Sequence, residues 1–210
     1  MQFQVWTLIL AAGASRRMGR PKALLALGNK TFLVAIADHY RRLGLPVVVV
    51  FGPDLEKRLP DEIAWTRTVL NPHVDAGPLS SLRLGLELLP ETASAAIVHP
   101  VDHPLVSSAT IGLLLEGHRQ RPTHILVPEF GGEAGHPTLF PRQVFAELRE
   151  SPLEGGARRV VEARPERVFR VQVDDPGILR NIDTPELYER WVTAPRGGAD
   201  PASAGPSDVG

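Results

Sequence analysis

The sequence predicts an α/β fold in which a mostly parallel sheet carries helices on both faces. Three observations lead there. Short aliphatic runs alternate with longer segments of helical period along most of the chain. The run Val47-Val48-Val49-Val50-Phe51 is unbroken, as in a strand covered on both sides. No linker-like stretch interrupts the alternation, so the strands are expected to share one sheet and one domain.

Each element follows from local chemistry. Val5 to Ala12 reads as a buried strand that runs straight into Gly13-Ala14-Ser15. From Thr31 to Leu43, the residues Phe32, Ile36, Tyr40 and Leu43 recur at helical spacing and form one apolar face. Gly44 stops that helix and Pro46 follows it. Val47 to Phe51 is the next strand. After the Gly77-Pro78 turn, Leu82, Leu86 and Leu89 mark a helix, and Ala95 to Val98 is a further strand. Ser107 or Ser108 is suited to cap a helix through Glu116. His124 to Val127 is a short strand, and Phe130-Gly131-Gly132-Glu133 reads as a hairpin turn, unusual in a purely parallel sheet. Pro141 is expected as the first residue of a helix through Leu148. Val168 to Val173 alternates as a late strand, and Thr184-Pro185-Glu186 opens a last helix to Trp191. The domain is therefore expected over 1–194. The segment 195–210 is Pro, Gly, Ala, Ser and Asp with almost no large apolar residue, a composition that predicts a disordered tail.

Composition narrows the function. In 210 residues there are 23 Lys+Arg against 24 Asp+Glu, a formal net charge of −1. Such a balance gives no bulk electrostatic reason to bind nucleic acid or an anionic membrane. With Cys 0, thiolate metal sites, disulfides and cysteine nucleophiles are excluded. The first apolar run lacks a preceding Lys or Arg and is too short to span a bilayer, so neither a signal peptide nor a membrane anchor is expected. A cytoplasmic location is the expectation that follows.

Ligands of parallel α/β sheets bind beyond the carboxyl ends of strands, and there the sequence becomes distinctive. The first such end is Leu10-Ala11-Ala12-Gly13-Ala14-Ser15-Arg16-Arg17-Met18-Gly19-Arg20-Pro21-Lys22. Small residues let backbone N–H groups approach an anion, and Arg17 and Lys22 add positive charge, which suits a polyphosphate. The spacing matches neither a Walker A loop nor the Gly-x-Gly-x-x-Gly dinucleotide fingerprint. By spacing alone, a glycine-rich connection with solvated basic residues explains the loop equally well. The second end, His99-Pro100-Val101-Asp102-His103-Pro104, places a carboxylate between prolines, where it can hold a hard cation such as Mg²⁺ or cap the following helix. The third is Asn181-Ile182-Asp183-Thr184-Pro185-Glu186, in which Thr184 can serve as the helix cap and Asp183 is left free to join Asp102. Asn71-Pro72, Gly77 to Leu82 and Gly135-His136-Pro137 are further loop signatures, each by itself only a turn.

Taken in order, these segments resemble the MobA-like nucleotidyltransferases, the molybdenum cofactor guanylyl- and cytidylyltransferases. The resemblance runs through Leu10–Lys22, Asn71–Leu82, Asp102–Pro104, Gly135–Pro137 and Ile182–Pro185, and covers about residues 5–192. It implies a three-layer α/β/α, Rossmann-like nucleotidyltransferase fold. It also implies Mg²⁺-dependent transfer of a nucleoside monophosphate from an NTP to a terminal phosphate of molybdopterin or molybdenum cofactor, with release of pyrophosphate. By the same resemblance, Lys22, Arg17 and Asp102 would be catalytic, and Asp102 and Asp183 would face the metal. The nucleotide would lie along Leu10, Ala11, Ala12, Gly13, Arg17, Lys22, Asn71, Gly77 and Ser80. Gly135, His136 and Asn181 would lie toward the acceptor. Ala12 stands where guanylyltransferases of the family tend to have Gly, which leans toward CTP. Gly77-Pro78-Leu79 looks like the guanylyltransferase version of its loop. His103 departs from the Gln or Thr usual at its position. CTP is the favoured donor and GTP the alternative.

Two other readings stay open. One is a nucleotidyltransferase for a different phosphorylated acceptor, a sugar or polyol phosphate. The other is a non-catalytic accessory protein that binds the cofactor for a molybdoenzyme, acting with that enzyme or its maturation factor as partner. Neither a hydride-cofactor fingerprint nor a flavin motif is found in the sequence.

Overall fold

The computed structural model describes residues 4–13, 15–150, 152 and 155–194. Its centre is a mixed sheet built from β1 (Gln4–Ala11), β4 (Val47–Phe51), β5 (Arg67–Leu70), β6 (Ala93–Pro100), β7 (Ile125–Phe130), β8 (Glu133–Ala134), β9 (Thr138–Pro141) and β10 (Val168–Gln172). The strands lie in the order β10-β7-β9-β6-β1-β4-β5, with β8 paired on β7. A separate small hairpin joins β2 (Ala26–Leu27) to β3 (Lys30–Thr31).

Strand direction is mostly parallel. β1 pairs in parallel with both β4 and β6, β4 with β5, and β10 with β7. The exception is β9, which lies antiparallel between β6 and β7. The hairpin expected at Phe130–Glu133 forms between β7 and β8. Gly131 and Gly132 turn it with φ of 58° and 85°, a left-handed pair that only glycine adopts without strain.

Alternation along each strand sorts side chains into two cores. Val5 and Ile9 of β1, with Val47 and Val49 of β4, face α1 (Phe32–Arg42) and α3 (Ser108–Gln120). Trp6 and Leu8, with Val48 and Val50, face α2 (Pro78–Glu87), α4 (Phe145–Glu150) and α5 (Arg158–Ala163). The result is a three-layer α/β/α arrangement. The unbroken apolar run of β4 is buried along its whole length, because each face meets a helix layer.

Caps match the sequence signals. The Thr31 hydroxyl accepts from the Val34 N–H, and the Ser107 hydroxyl accepts from the Thr110 N–H at 3.2 Å. Thr184 caps α6 (Pro185–Tyr188), which continues as a π-helical turn over Glu189–Thr193. Two expectations need revision. Pro141 ends β9 and precedes a 3₁₀ turn, so the helix begins at Phe145 instead. Strands β5 and β9 are additions to the predicted set: each has only four residues, too few for an alternation to stand out. The expected tail, 195–210, lies outside the described residues. Among the described residues, no helix is long and apolar enough to cross a membrane.

Candidate active site

The carboxyl ends of β1 and β6 lie side by side, because the two strands are paired up to Leu10 and Pro100. The Val101 N–H then donates to the Leu10 carbonyl at 3.0 Å, which carries the pairing into the loop that bears Asp102. A second bond brings in the distant chain segment: the Ile182 N–H donates to the Asp102 carbonyl at 2.8 Å. Ile182 is fully buried and anchors that loop, and Asp183 next to it thereby comes beside Asp102.

Between the two carboxylates lies Lys22. Its ammonium donates to Asp102 Oδ2 at 2.9 Å and also to Asp183 Oδ1. Its side chain is largely enclosed, at 13% exposure against 20% for Asp102 and 25% for Asp183. Burial works against the Lys22 charge, but the two carboxylates outweigh it and raise the pKa above the ordinary lysine value. Burial likewise opposes the Asp102 charge. The hydrogen bond from His103 and the charge of Lys22 outweigh it, holding Asp102 well below the usual carboxylate range. Asp183 Oδ2 takes a hydrogen bond from Asn181 Nδ2 at 3.1 Å and an ion pair with exposed Arg17 at 3.6 Å.

The loop that delivers Lys22 is held by its own polar groups. Ser15 adopts φ 46°, a left-handed conformation that lets its hydroxyl donate to the Gly13 carbonyl and accept from the Lys22 N–H at 3.0 Å. Beside this loop opens a cleft of about 430 Å³, whose lining includes Leu10, Ala12, Gly13, Gly77, Pro78 and Ser81. Asp102, His103, His136, Asn181 and the segment Gly155 to Arg158 also line it. Ala11 borders a smaller adjoining hollow with Gly52 and Pro53.

Asn71, Ser80 and Gly135 support the cleft without lining it. Asn71 is fully buried; its amide donates to the Ser80 and Ser81 hydroxyls at 2.9 Å, and its oxygen accepts from the His73 N–H. Ser80 in turn donates to the Gly77 carbonyl at 2.7 Å, so both residues shape the loop beneath the ligand space. Gly135 is demanded by packing: a Cβ there would lie 2.4 Å from the Ile178 carbonyl oxygen. Its neighbour His136 stands edge-on to His103 with ring centres 4.7 Å apart, and burial lowers its pKa to about 4. The segment Gly155-Gly156-Ala157-Arg158 is a wall that the sequence reading missed. Two adjacent glycines followed by paired arginines were the available signal.

The donor set suits a hard divalent cation. Two anionic carboxylates converge on a position that a cation, the Lys22 ammonium, already occupies. Among the described residues no group of three or more His, Cys, Asp or Glu forms a self-sufficient metal cage. Two carboxylates completed by substrate phosphates and water is the usual arrangement for Mg²⁺.

A three-layer α/β/α sheet with a basic, glycine-rich loop and paired carboxylates at its carboxyl edge defines the nucleotidyltransferase class. Comparison with known proteins gives the family: residues 7–168 match the MobA-like NTP transferase domain, and the chain belongs to that family. It is 34% identical over 117 residues to a molybdenum cofactor guanylyltransferase of Xanthomonas euvesicatoria pv. vesicatoria (strain 85-10), a match spanning 55% of this chain and 57% of that protein. It is 28% identical over 196 residues to the nicotine blue oxidoreductase of Paenarthrobacter nicotinovorans, spanning 88% and 95%. Among solved structures, the Rv0371c homologue of Mycobacterium sp. strain JC1 superposes with a TM-score of 0.77 at 30% identity, covering 90% of this chain and 95% of that one. Rv0371c of Mycobacterium tuberculosis H37Rv in complex with manganese superposes at 0.70 with 25% identity, covering 92% and 100%.

Proposed function

We propose that the protein transfers a nucleoside monophosphate from an NTP, CTP in the favoured reading, to the terminal phosphate of a molybdopterin-type acceptor. The observation that carries this is the convergence of Lys22, Asp102 and Asp183 at the end of the glycine-rich loop. A phosphate oxygen of the acceptor attacks the α-phosphorus, the bond between the α-phosphorus and its bridging oxygen breaks, and pyrophosphate leaves. The acceptor is already anionic at neutral pH, so no strong base is required. Repulsion between two anions is the obstacle, and positioned cations are the remedy. Asp102 and Asp183 would hold Mg²⁺, which supplies Lewis-acid charge at the phosphates. Lys22 would exchange its carboxylate contacts for the triphosphate, and Arg17, which is exposed, would assist at the departing pyrophosphate. The manganese complex of Rv0371c supports a divalent ion in this fold.

The acceptor assignment rests on similarity to the Xanthomonas guanylyltransferase and on the five motifs. The preference for CTP rests on Ala12, a cleft residue that stands where guanylyltransferases of the family tend to have Gly. GTP is the second reading, favoured by the name of that same relative. The test is to incubate the protein with Mg²⁺, molybdopterin and each NTP in turn, and to follow pyrophosphate. Release with CTP supports the reading, and release with GTP alone replaces the base. Release with another phosphorylated acceptor only would change the acceptor. No release with any NTP would overturn the transferase reading in favour of a non-catalytic, cofactor-binding role. Asp102→Ala is expected to abolish Mg²⁺-dependent release while leaving the folded circular dichroism spectrum unchanged.

A further inference from the structure

His103 stands where the family that the sequence resembles usually has Gln or Thr, and it lines the cleft beside Asp102. The residue is buried, at 7% exposure, and its Nδ1 donates to Asp102 Oδ1 at 3.0 Å. A carboxylate only accepts, so that nitrogen carries the proton. Lys22 meets the other oxygen, Oδ2, at 2.9 Å. The two oxygens of Asp102 thus have separate partners: Oδ1 is held by the His103 N–H, and Oδ2 faces the Lys22 ammonium.

The donor itself is anchored from below. The His103 carbonyl accepts from His99 Nε2 at 3.0 Å, and the Tyr40 hydroxyl lies 2.7 Å from His99 Nδ1. Because a carbonyl cannot donate, His99 Nε2 bears the proton. Nδ1 of a neutral imidazole is then an acceptor, and the Tyr40 O–H donates to it. Tyr40 and His99 are essentially inaccessible, at 0% and 1% exposure, so water does not compete for either bond. Tyr40 lies on α1, far from the loop in sequence, and packs edge-on against His99 with ring centres 5.7 Å apart. The His136 ring packs edge-on against the His103 ring.

We propose that His103 is a positioning residue for Asp102: it occupies Oδ1 and so reserves Oδ2 for the divalent cation, with Tyr40 and His99 fixing the backbone from which it acts. This rests on the reading of Asp102 as a cation-binding carboxylate. Hydrogen-bond partners of metal ligands commonly change metal affinity by about 10–100-fold when removed.

The experiment measures Mn²⁺ affinity of the full chain by electron paramagnetic resonance, without nucleotide, and the metal KM and kcat of pyrophosphate release. Four variants are compared with the wild type: Asp102→Asn, His103→Met, His103→Asn and Tyr40→Phe. His103→Met removes the donor but fills the space, and is expected to weaken Mn²⁺ binding roughly tenfold. Its metal KM should rise while kcat at saturating metal stays near wild type. His103→Asn places an amide N–H close to the position of Nδ1, and should restore affinity to within about threefold, which a merely space-filling residue would not do. Tyr40→Phe should weaken binding by a smaller factor of about three, and decides the matter if His103→Met does not fold. Unchanged affinity in His103→Met, or in Tyr40→Phe when it must stand in, overturns the proposal. If Asp102→Asn keeps wild-type affinity, the site reading itself fails. If Asp102→Asn loses binding and His103→Met does not, only the positioning role fails.

Discussion

Lys22 is one cation among two carboxylates, and its surroundings define what its removal would do. In Lys22→Met, Asp102 and Asp183 would face each other without a counter-charge inside a partly enclosed site. Breaking such a pair from one side is expected to cost about 2 kcal/mol, reduced from the fully buried case by solvent access. Mg²⁺ should restore more stability to this variant than it adds to the wild type, because it takes the place of the missing ammonium. Thermal unfolding with and without Mg²⁺ checks this, and equal gains in both proteins would contradict it. A second effect at this scale concerns protons. Burial lowers His99 to about 3 and His136 to about 4, from 6.5 in each case. Between those values and 6.5 the unfolded chain holds more protons than the folded one, so stability is complete above 6.5 and falls as the pH drops through that window. From pH 6.5 to 5 each histidine should remove about 2 kcal/mol, and the two together should lower Tm by on the order of 10 °C. Asp102 acts in the same sense at lower pH, since its depressed pKa contributes stability that is lost on acidification below the ordinary carboxylate range. Thermal melts between pH 7.5 and 5 measure the first window directly.

Between residue and domain, the loops after the strands carry demands that local patterns only partly express. Asp175 accepts from the Ser107 N–H at 2.8 Å, from the Thr110 hydroxyl at 2.6 Å and from the Gly177 N–H at 2.9 Å. It therefore ties the start of α3 to the loop that leads to Asn181 and Asp183. Asp175→Ala is expected to destabilise by about 3 kcal/mol through three donors left without their acceptor, read as a lower midpoint in urea. Gly135→Ala would press its methyl group against the Ile178 carbonyl, 2.4 Å away, and should destabilise by about 2 kcal/mol. Sequence alone identified Gly135 as part of a turn motif, and its requirement is a close approach of two backbones. The helices and most strands were legible because hydrophobic period and caps are local: Thr31, Ser107 and Thr184 all cap as their residue types suggest. Strand β9 was not, because Thr138 to Pro141 acquires its strand character from lying between β6 and β7. Pro141 carries a helix-start signal that holds only in the absence of that neighbour pairing.

At the scale of the whole molecule, the site exists only when the sheet is assembled, so ligand and fold should be linked. CTP with Mg²⁺ at about 100 times its Kd should stabilise the folded state by about 2.7 kcal/mol, a Tm rise of roughly 5–10 °C. Asp102→Ala should lose the Mg²⁺-dependent part of that rise, measured by differential scanning fluorimetry with nucleotide alone and with nucleotide plus metal. A rise that is equally large in the variant would separate nucleotide binding from the carboxylate pair. The sequence by itself determined the α/β class, the absence of cysteine chemistry and the candidate residues on the glycine-rich, Asp102 and Asp183 loops, since period, composition and motif are properties of neighbouring residues. Only the tertiary structure decided that Lys22 stands between Asp102 and Asp183, that Asn71 and Ser80 support the cleft from beneath, and that His103 is tied through His99 to Tyr40. Those relations depend on β1 and β6 lying side by side and on the Ile182 N–H meeting the Asp102 carbonyl. Such contacts form between distant parts of the chain once the strands are paired, and no local pattern encodes them.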